Sequence, residues 1–420
     1  MSAGGELAGR RRVAITGIGL VAPIGIGKEA FWAAAKEGRS GTGRPTRLEH
    51  PDTPVKVVGE VKDFVPTDYI SKKLMVRTDR NTQFSFAACF EAVEDAGIDP
   101  AEEQKDRVGI VLSSNYGGLS YFLENLERLH QKGPSFVSAY MATAWLPSAP
   151  VGQLSIHYGT TGYSKTVIND AAGGADAIGA GYRAIGRGDA DVVIAGGFEV
   201  PLVDPAIVGL ATFDDFCKDA PEPEKAFRPF DVDRRGIVIA EGGGIVILEE
   251  LERAQARRAK AYAEITGYAQ TSDAAQLQQV APDGVQYARA MRLALEQGGL
   301  GPDDVGYVNA DGRATAEGDR AEARALQLLL GDRVRSVPVS APKSMTGNSL
   351  AGAGPIDVAF ASLALRHGLL PPTINLDRQD PECDLRLVAN QPEEATVDVV
   401  LVCARGTTGV NSALSLKRLD

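Results

Sequence analysis

Several short runs in this chain carry no polar position except at an end, and they restrict the fold more than any other feature. Val108–Ser113 and the stretch Asp191-Val-Val-Ile-Ala-Gly-Gly197 are near-continuous Val, Ile, Leu and Ala. A strand of that kind offers no face to water, so helices must cover both sides of its sheet. Helical spacing fills the intervals: 30–36, then 75–96 stopped by Gly97, then Leu119 up to Gly133, then a small-residue helix from Ala171 to Arg187. Strand-like runs flank a glycine hinge in 236–248, and a charged helix is expected at 249–260. The second half repeats the plan, with helices at 285–297, 316–329 and 352–367, strands at 261–269, 305–308 and 336–339, and a closing hairpin of 397–404 and 412–416. This alternation predicts an α/β fold with an internal duplication, layered helix, sheet, helix, sheet, helix. Its expected divisions are a disordered leader over residues 1–12, an N-terminal half over 13–260 and a C-terminal half over 261–420.

Composition excludes some functions. A formal net charge of −11 disfavours nucleic acid as a main partner, because phosphate binding needs a basic surface. No apolar run is long enough to span a bilayer, and the leader lacks the apolar core of a signal peptide. Cys89, Cys217, Cys383 and Cys403 are scattered without metal-ligand spacing, which argues against a metal centre or a disulfide framework and suits a reducing cytoplasm. The first strand, 12–16, runs into Gly17-Ile-Gly19, a weak nucleotide signal with no acidic residue to support it. No cofactor is expected.

Three junctions follow apolar runs, where function collects in such folds. In Thr166-Val-Ile-Asn-Asp-Ala-Ala-Gly-Gly-Ala-Asp-Ala-Ile178 a β-branched run turns directly into a helix, whose N-terminal N–H groups favour a developing anion. The side chains offered there are Ala171 and Ala172, and neither can attack anything. Asp170 as the cap of a tightly packed core helix accounts for the same residues. The other junctions are Asn309-Ala-Asp-Gly-Arg-Ala-Thr315 and Lys343-Ser-Met-Thr-Gly-Asn348. Separately, Leu119, Phe122 and Leu126 recur three and four residues apart and form one helical stripe, while 137–146 carries Tyr140, Met141 and Trp145. Ordinary core or subunit-interface packing suits both stripes.

Taken together, these junctions resemble the catalytic motifs of the β-ketoacyl synthases, condensing enzymes of the thiolase superfamily, and the resemblance runs from Val13 to about residue 416. It implies a thiolase-like five-layered αβαβα fold. The family's nucleophilic cysteine falls on Ala171, the histidine of its HGTGT-like motif on Asp311, and the histidine of its GH motif on Asn348. Lys343, Gly347, Asp319 and Glu322 match its supporting residues. Asn411 matches the asparagine of its closing GFGGTN-like motif, whose gating phenylalanine is Thr407 here. The four histidines, His50, His130, His157 and His367, lie at neither histidine position and read as surface or structural residues.

Acyl transfer needs a thiolate, and decarboxylation of a malonyl thioester needs donors for the enolate. The altered set therefore implies a chain that is not an enzyme on its own. It is similar to the chain length factor, or ketosynthase β subunit, of type II polyketide systems. That likeness implies a heterodimer with an active ketosynthase, paired across the strand 191–197, and a phosphopantetheine-tethered acyl carrier protein engaged mainly through the partner. Leu119, Phe122 and Leu126 would then close the tunnel that receives the acyl chain. The alternative is a ketosynthase-like scaffold or binding subunit of another fatty acyl or polyene pathway.

Overall fold

The computed structural model describes residues 10–48, 50, 52–276 and 279–419, so most of the expected leader, residues 1–9, lies outside the described residues. The last leader residues are tied down: Arg11 pairs with Asp191 at 2.6 Å and Arg12 with Glu264 at 2.5 Å.

The expected duplication is present element by element. The first half runs β1 (Val13–Ala22), α1 (Arg80–Ala96), β2 (Val108–Ser113), α2 (Leu119–Lys132), β3 (Ser164–Val167), α3 (Gly173–Arg187), β4 (Val192–Glu199) and β5 (Gly242–Glu250). The second runs β6 (Ala263–Ser272), α4 (Val285–Gln297), β7 (Tyr307–Asn309), α5 (Ala316–Leu330), β8 (Pro338–Ser340), α6 (Ala353–His367), β9 (Val399–Arg405) and β10 (Val410–Lys417). Strand order within each half is the same, β1-β5-β4-β2-β3 in one and β6-β10-β9-β7-β8 in the other. In both halves the strands that follow the first lie parallel to one another, and the last two are antiparallel. The halves join where β1 pairs β6, with Val13 opposite Ile265. Helices α3 and α6 pack between the two halves of this continuous sheet, α1 lies outside the first half, and α4 and α5 lie outside the second, giving the five layers.

Three differences from the sequence reading have physical causes. Strand β1 continues through Gly17 and Gly19 to Ala22, because α1 rests directly on these glycines. A Cβ would lie 2.1 Å from Ala92 O at Gly17 and 1.9 Å from Ala88 O at Gly19. Helix α1 starts at Arg80, since the Asp79 carboxylate accepts the Asn81 N–H at 2.9 Å and caps it, and a separate turn covers Lys72–Met75. Finally, the 191–197 run has no free edge: β4 is bonded on one side by β2 and on the other by β5. The open edge of the first half is β3, whose Ser164 and Lys165 are exposed. An all-apolar strand belongs in the middle of a sheet, and the polar residues mark the edge.

Candidate functional site

The turn from β3 into α3 is strained, with Ala171 and Ala172 buried and Asn169 and Asp170 half-buried. Asp170 has φ 53°, and Ala171 and Ala172 complete a single 3₁₀ turn before the helix. Asp170 does not cap α3. Its carboxylate accepts instead from the Thr407 backbone N–H, and from the Thr407 hydroxyl at 2.5 Å. The 406–409 loop between β9 and β10 is thus clamped onto the turn. Ala171 is 7 % exposed and packs with Leu210, Phe216 and Leu350. Helices α3 and α6 begin side by side, a Cβ on Gly174 falling 2.2 Å from Ala351 O.

Charge concentrates at the equivalent junctions of the second half. The Lys343 ammonium lies 2.8 Å from Asp311 Oδ1 and 2.9 Å from Asp357 Oδ2, all three side chains being at most 2 % exposed. Burial works against the ammonium, but the two carboxylates outweigh it and hold the lysine above its ordinary range. Burial also pushes the Asp357 carboxyl up to about 7, with Lys343 opposing. Below this trio the Glu322 carboxylate accepts the Asp311 and Gly312 N–H groups, each at 2.8 Å, and the Tyr287 hydroxyl at 3.1 Å. Burial, then the charge of Asp311, raises its pKa. Asp319 secures the same loop from one turn earlier, accepting from Ala314 at 2.9 Å and Phe230 at 2.7 Å, and burial lifts it to about 7. Asp311 Oδ2 has no hydrogen-bond partner among the described residues. Asn348 is buried, and its side-chain oxygen accepts the Leu350 N–H at 2.9 Å, which supports the positive φ of Leu350.

Two groups that sequence reasoning missed connect these loops. Asp357 is invisible as a partner of Lys343 because it stands mid-helix in α6. Arg313, at 3 % exposure, donates to Gly406 O at 3.2 Å and meets Asp215 Oδ2 at 3.5 Å. The loop bearing Asp311 is therefore tied to the loop bearing Thr407, and that loop to the Asp170 turn. Beside the Asp170 turn and the Thr407 loop opens a cavity of about 290 Å³, walled by Tyr116, Leu210, Phe213, Phe216 and Leu350, with Asn115, Asp170, Thr407 and Thr408 as its polar rim; Asp311, Lys343 and Asn348 do not line it. Glu199 backs it, accepting from the Asn115 and Tyr116 N–H groups at 2.8 and 3.1 Å, with its carboxyl pushed up to about 7 by burial. Asn411 lies behind the closing loop, where it accepts from Arg405 at 2.9 Å and donates to Asp273 at 2.6 Å. A larger cleft, about 770 Å³, runs between α2 and residues 75–80, but its lining is charged and none of the three junctions opens onto it.

The helical stripe stands apart from this cavity. Leu119, Phe122 and Leu126 are only half-buried on α2, whose one fully buried residue is Asn125. Phe122 stacks on Trp145 with ring centroids 4.5 Å apart and planes at 25°. Leu129, Phe136, Tyr140, Trp145, Leu146, Ile156 and Ile168, all from 129–168, are large apolar side chains left exposed, and Ile168 directly follows the open edge β3. Among the described residues no helix is long and apolar enough to cross a membrane, and no cluster of metal-ligating side chains occurs.

Comparison with known proteins agrees with the fold. The family model for the β-ketoacyl synthase N-terminal domain matches residues 10–254, and that for the C-terminal domain matches residues 262–377. The chain is 38 % identical to 3-oxoacyl-[acyl-carrier-protein] synthase 2 of Staphylococcus aureus strain COL, over 98 % of this chain and 99 % of the relative. It is equally identical to the enzyme of that name from Synechocystis, over 97 % of this chain and 98 % of the relative. Among solved structures it is similar to the ishigamide ketosynthase/chain length factor, at TM-score 0.90 and 31 % identity, covering 98 % of this chain and all of that one. A type II polyketide synthase acyl carrier protein complexed with its ketosynthase, bound to the hexaketide, gives TM-score 0.90 and 29 % identity over the same share of each chain. These relatives correct one expectation. The altered set at Ala171, Asp311 and Asn348 suggested a chain that is not an enzyme on its own, whereas the curated relatives it matches over full length are catalytic condensing enzymes. By its two matched domains, its duplicated fold and its full-length relatives, this chain belongs to the β-ketoacyl synthase family.

Proposed function

We propose that the chain serves carrier-protein-dependent β-ketoacyl condensation as the chain-length-factor-like member of a ketosynthase pair, with α2 shaping the tunnel that limits the acyl chain. The observation that carries this reading is the half-buried stripe of Leu119, Phe122 and Leu126, an apolar face that the chain's own fold leaves incompletely covered. Apolar side chains of that size left incompletely covered, in a half that also has an open strand edge, call for a protein partner. The edge β3 supplies backbone N–H and C=O groups to pair across a two-fold-like axis. Likeness to a solved ketosynthase/chain length factor supports the assignment, and the solved carrier-protein complex makes an acyl carrier protein the natural second partner, engaged mainly through the ketosynthase.

The test is product mass from the chain co-expressed with its ketosynthase and supplied with malonyl-loaded carrier protein. Phe122→Ala and Leu126→Ala should lengthen the products while the pair stays assembled. Unchanged lengths from intact pairs of both variants would remove these residues from the tunnel.

A second reading is favoured by the 38 % identity to 3-oxoacyl-[acyl-carrier-protein] synthases, namely that the chain condenses acyl groups itself in a fatty acyl or polyene pathway. A β-ketoacyl product from the purified chain alone, with acyl and malonyl carrier proteins, would select it.

A further inference from the structure

We propose that Trp145 is the positioning residue for chain length: the indole fixes Phe122, so that the end of the tunnel is a two-ring wall rather than one side chain on α2. This rests on the tunnel reading above. The argument starts from the backbone. The Gly118 N–H donates to Trp145 O at 2.9 Å, while a Cβ on Gly117 would fall 2.1 Å from Trp145 O and one on Gly118 2.1 Å from Ala144 O. The segment Met141–Trp145 therefore lies directly on the start of α2, in a contact that only glycines permit. About two helical turns further on, the Ser138 N–H donates to Asn125 Oδ1 at 2.8 Å, and the Ser138 hydroxyl bonds the Tyr121 hydroxyl at 2.8 Å. Asn125 is itself buried and bonded to Tyr121 O at 2.8 Å. The 138–145 segment is thus tethered to α2 on both sides of Phe122, at Gly118 and at Asn125.

Phe122 stands between those tethers with one face covered by the Trp145 ring. A stacked aromatic pair gains attraction beyond the area it buries and loses rotamer freedom that a lone ring would keep. Without the indole, Phe122 could turn about χ1, and the tunnel would end at more than one depth. Without Phe122, the indole would still block part of the passage.

The experiment is a double-mutant cycle read as product mass distribution, on the chain paired with its ketosynthase and fed malonyl-loaded carrier protein. Trp145→Ala should broaden the products to several lengths, with the wild-type length falling severalfold, whereas Trp145→Phe, which keeps a stacking ring, should retain the wild-type distribution. Phe122→Ala should shift products to longer chains, and adding Trp145→Ala should shift them further than the separate effects combined. An intact Trp145→Ala pair with the wild-type distribution would overturn the proposal. Should that variant fail to assemble, Trp145→Leu, which keeps apolar bulk but cannot stack, carries the test, and unchanged lengths from it would overturn the proposal equally. If Phe122→Ala and Leu126→Ala also leave lengths unchanged, the tunnel reading itself fails, an outcome distinct from failure of Trp145 alone.

Discussion

Helices α2 and α5 hold the same place in the two halves, each following the second strand, yet they are buried very differently. Counted from the first residue of each helix, the eleventh position is Leu129 in α2 and Leu326 in α5; the first is 39 % exposed and the second 0 %. The fourth is Phe122 against Asp319, and the seventh is Asn125 against Glu322. In α5 the two acids turn inward and hold the loop of Asp311 by its backbone N–H groups. In α2 the seventh residue holds a loop too, through Ser138, but the fourth presents an aromatic ring to Trp145 and the stripe stays half-covered. The difference teaches that a duplicated plan can be closed in one copy and left to be completed by another chain in its counterpart.

The largest effect should come from the closed half. Lys343→Met leaves Asp311 and Asp357 buried together without a cation, and the loss should be about 3–5 kcal/mol, read from denaturant midpoints. A loss below about 1 kcal/mol would mean that the trio is more hydrated than its burial indicates. Next, Leu326→Ala should cost about 2–5 kcal/mol in the isolated chain, whereas Leu129→Ala should cost about 0.5 kcal/mol or less. Equal costs at the two positions would break the comparison outright. In the assembled pair, the Leu129→Ala cost should rise if α2 is covered by the partner.

A smaller effect concerns pH and is read at one buried carboxyl of each half, Glu199 and Asp319, beside Asp357, which burial raises to the same level. Burial raises Glu199 and Asp319 to about 7, from ordinary values of 4.5 and 3.8. Between those values the folded chain holds protons that the unfolded chain has released, so this contribution is complete below the ordinary values and is lost as pH rises through about 7. The denaturant midpoint should therefore fall from about pH 5 to about pH 8, and Glu199→Gln and Asp319→Asn should each flatten the fall. A slope unchanged in both variants would show that neither carboxyl is the cause. The smallest effect is expected at the cavity rim. Thr407→Val removes the hydroxyl bond to Asp170 but keeps the N–H bond, and should cost about 0.5–1.5 kcal/mol.

Much of this was legible in the sequence where the signal is local. Helix α4 spans 285–297 as its periodicity predicts, Gly97 stops α1, and the repeated strand-helix order announces the duplication and its layers. The strand expected at the pairing edge was misplaced, because an apolar run reports burial and says nothing of sheet order. The site was legible as junctions and not as contacts. Asp357 meets Lys343, and Arg313 meets Gly406, across separations that no local pattern records. Asp170 looked like a cap, and only the returning loop shows that it serves Thr407. Ala171, Asp311 and Asn348 stand at catalytic positions only by the family resemblance, and the expectation drawn from them, a chain that is not an enzyme on its own, is at odds with full-length relatives that are 3-oxoacyl-[acyl-carrier-protein] synthases.

The proposed pairing is tested most directly by native mass of the chain co-expressed with its ketosynthase, combined with amide exchange over Leu119–Lys132 and Ser164–Val167. One copy of each chain, with both segments protected on assembly relative to the chain alone, is the predicted result. A monomer of this chain beside a fully active homodimer of the ketosynthase, with α2 exchanging as it does in isolation, would contradict it.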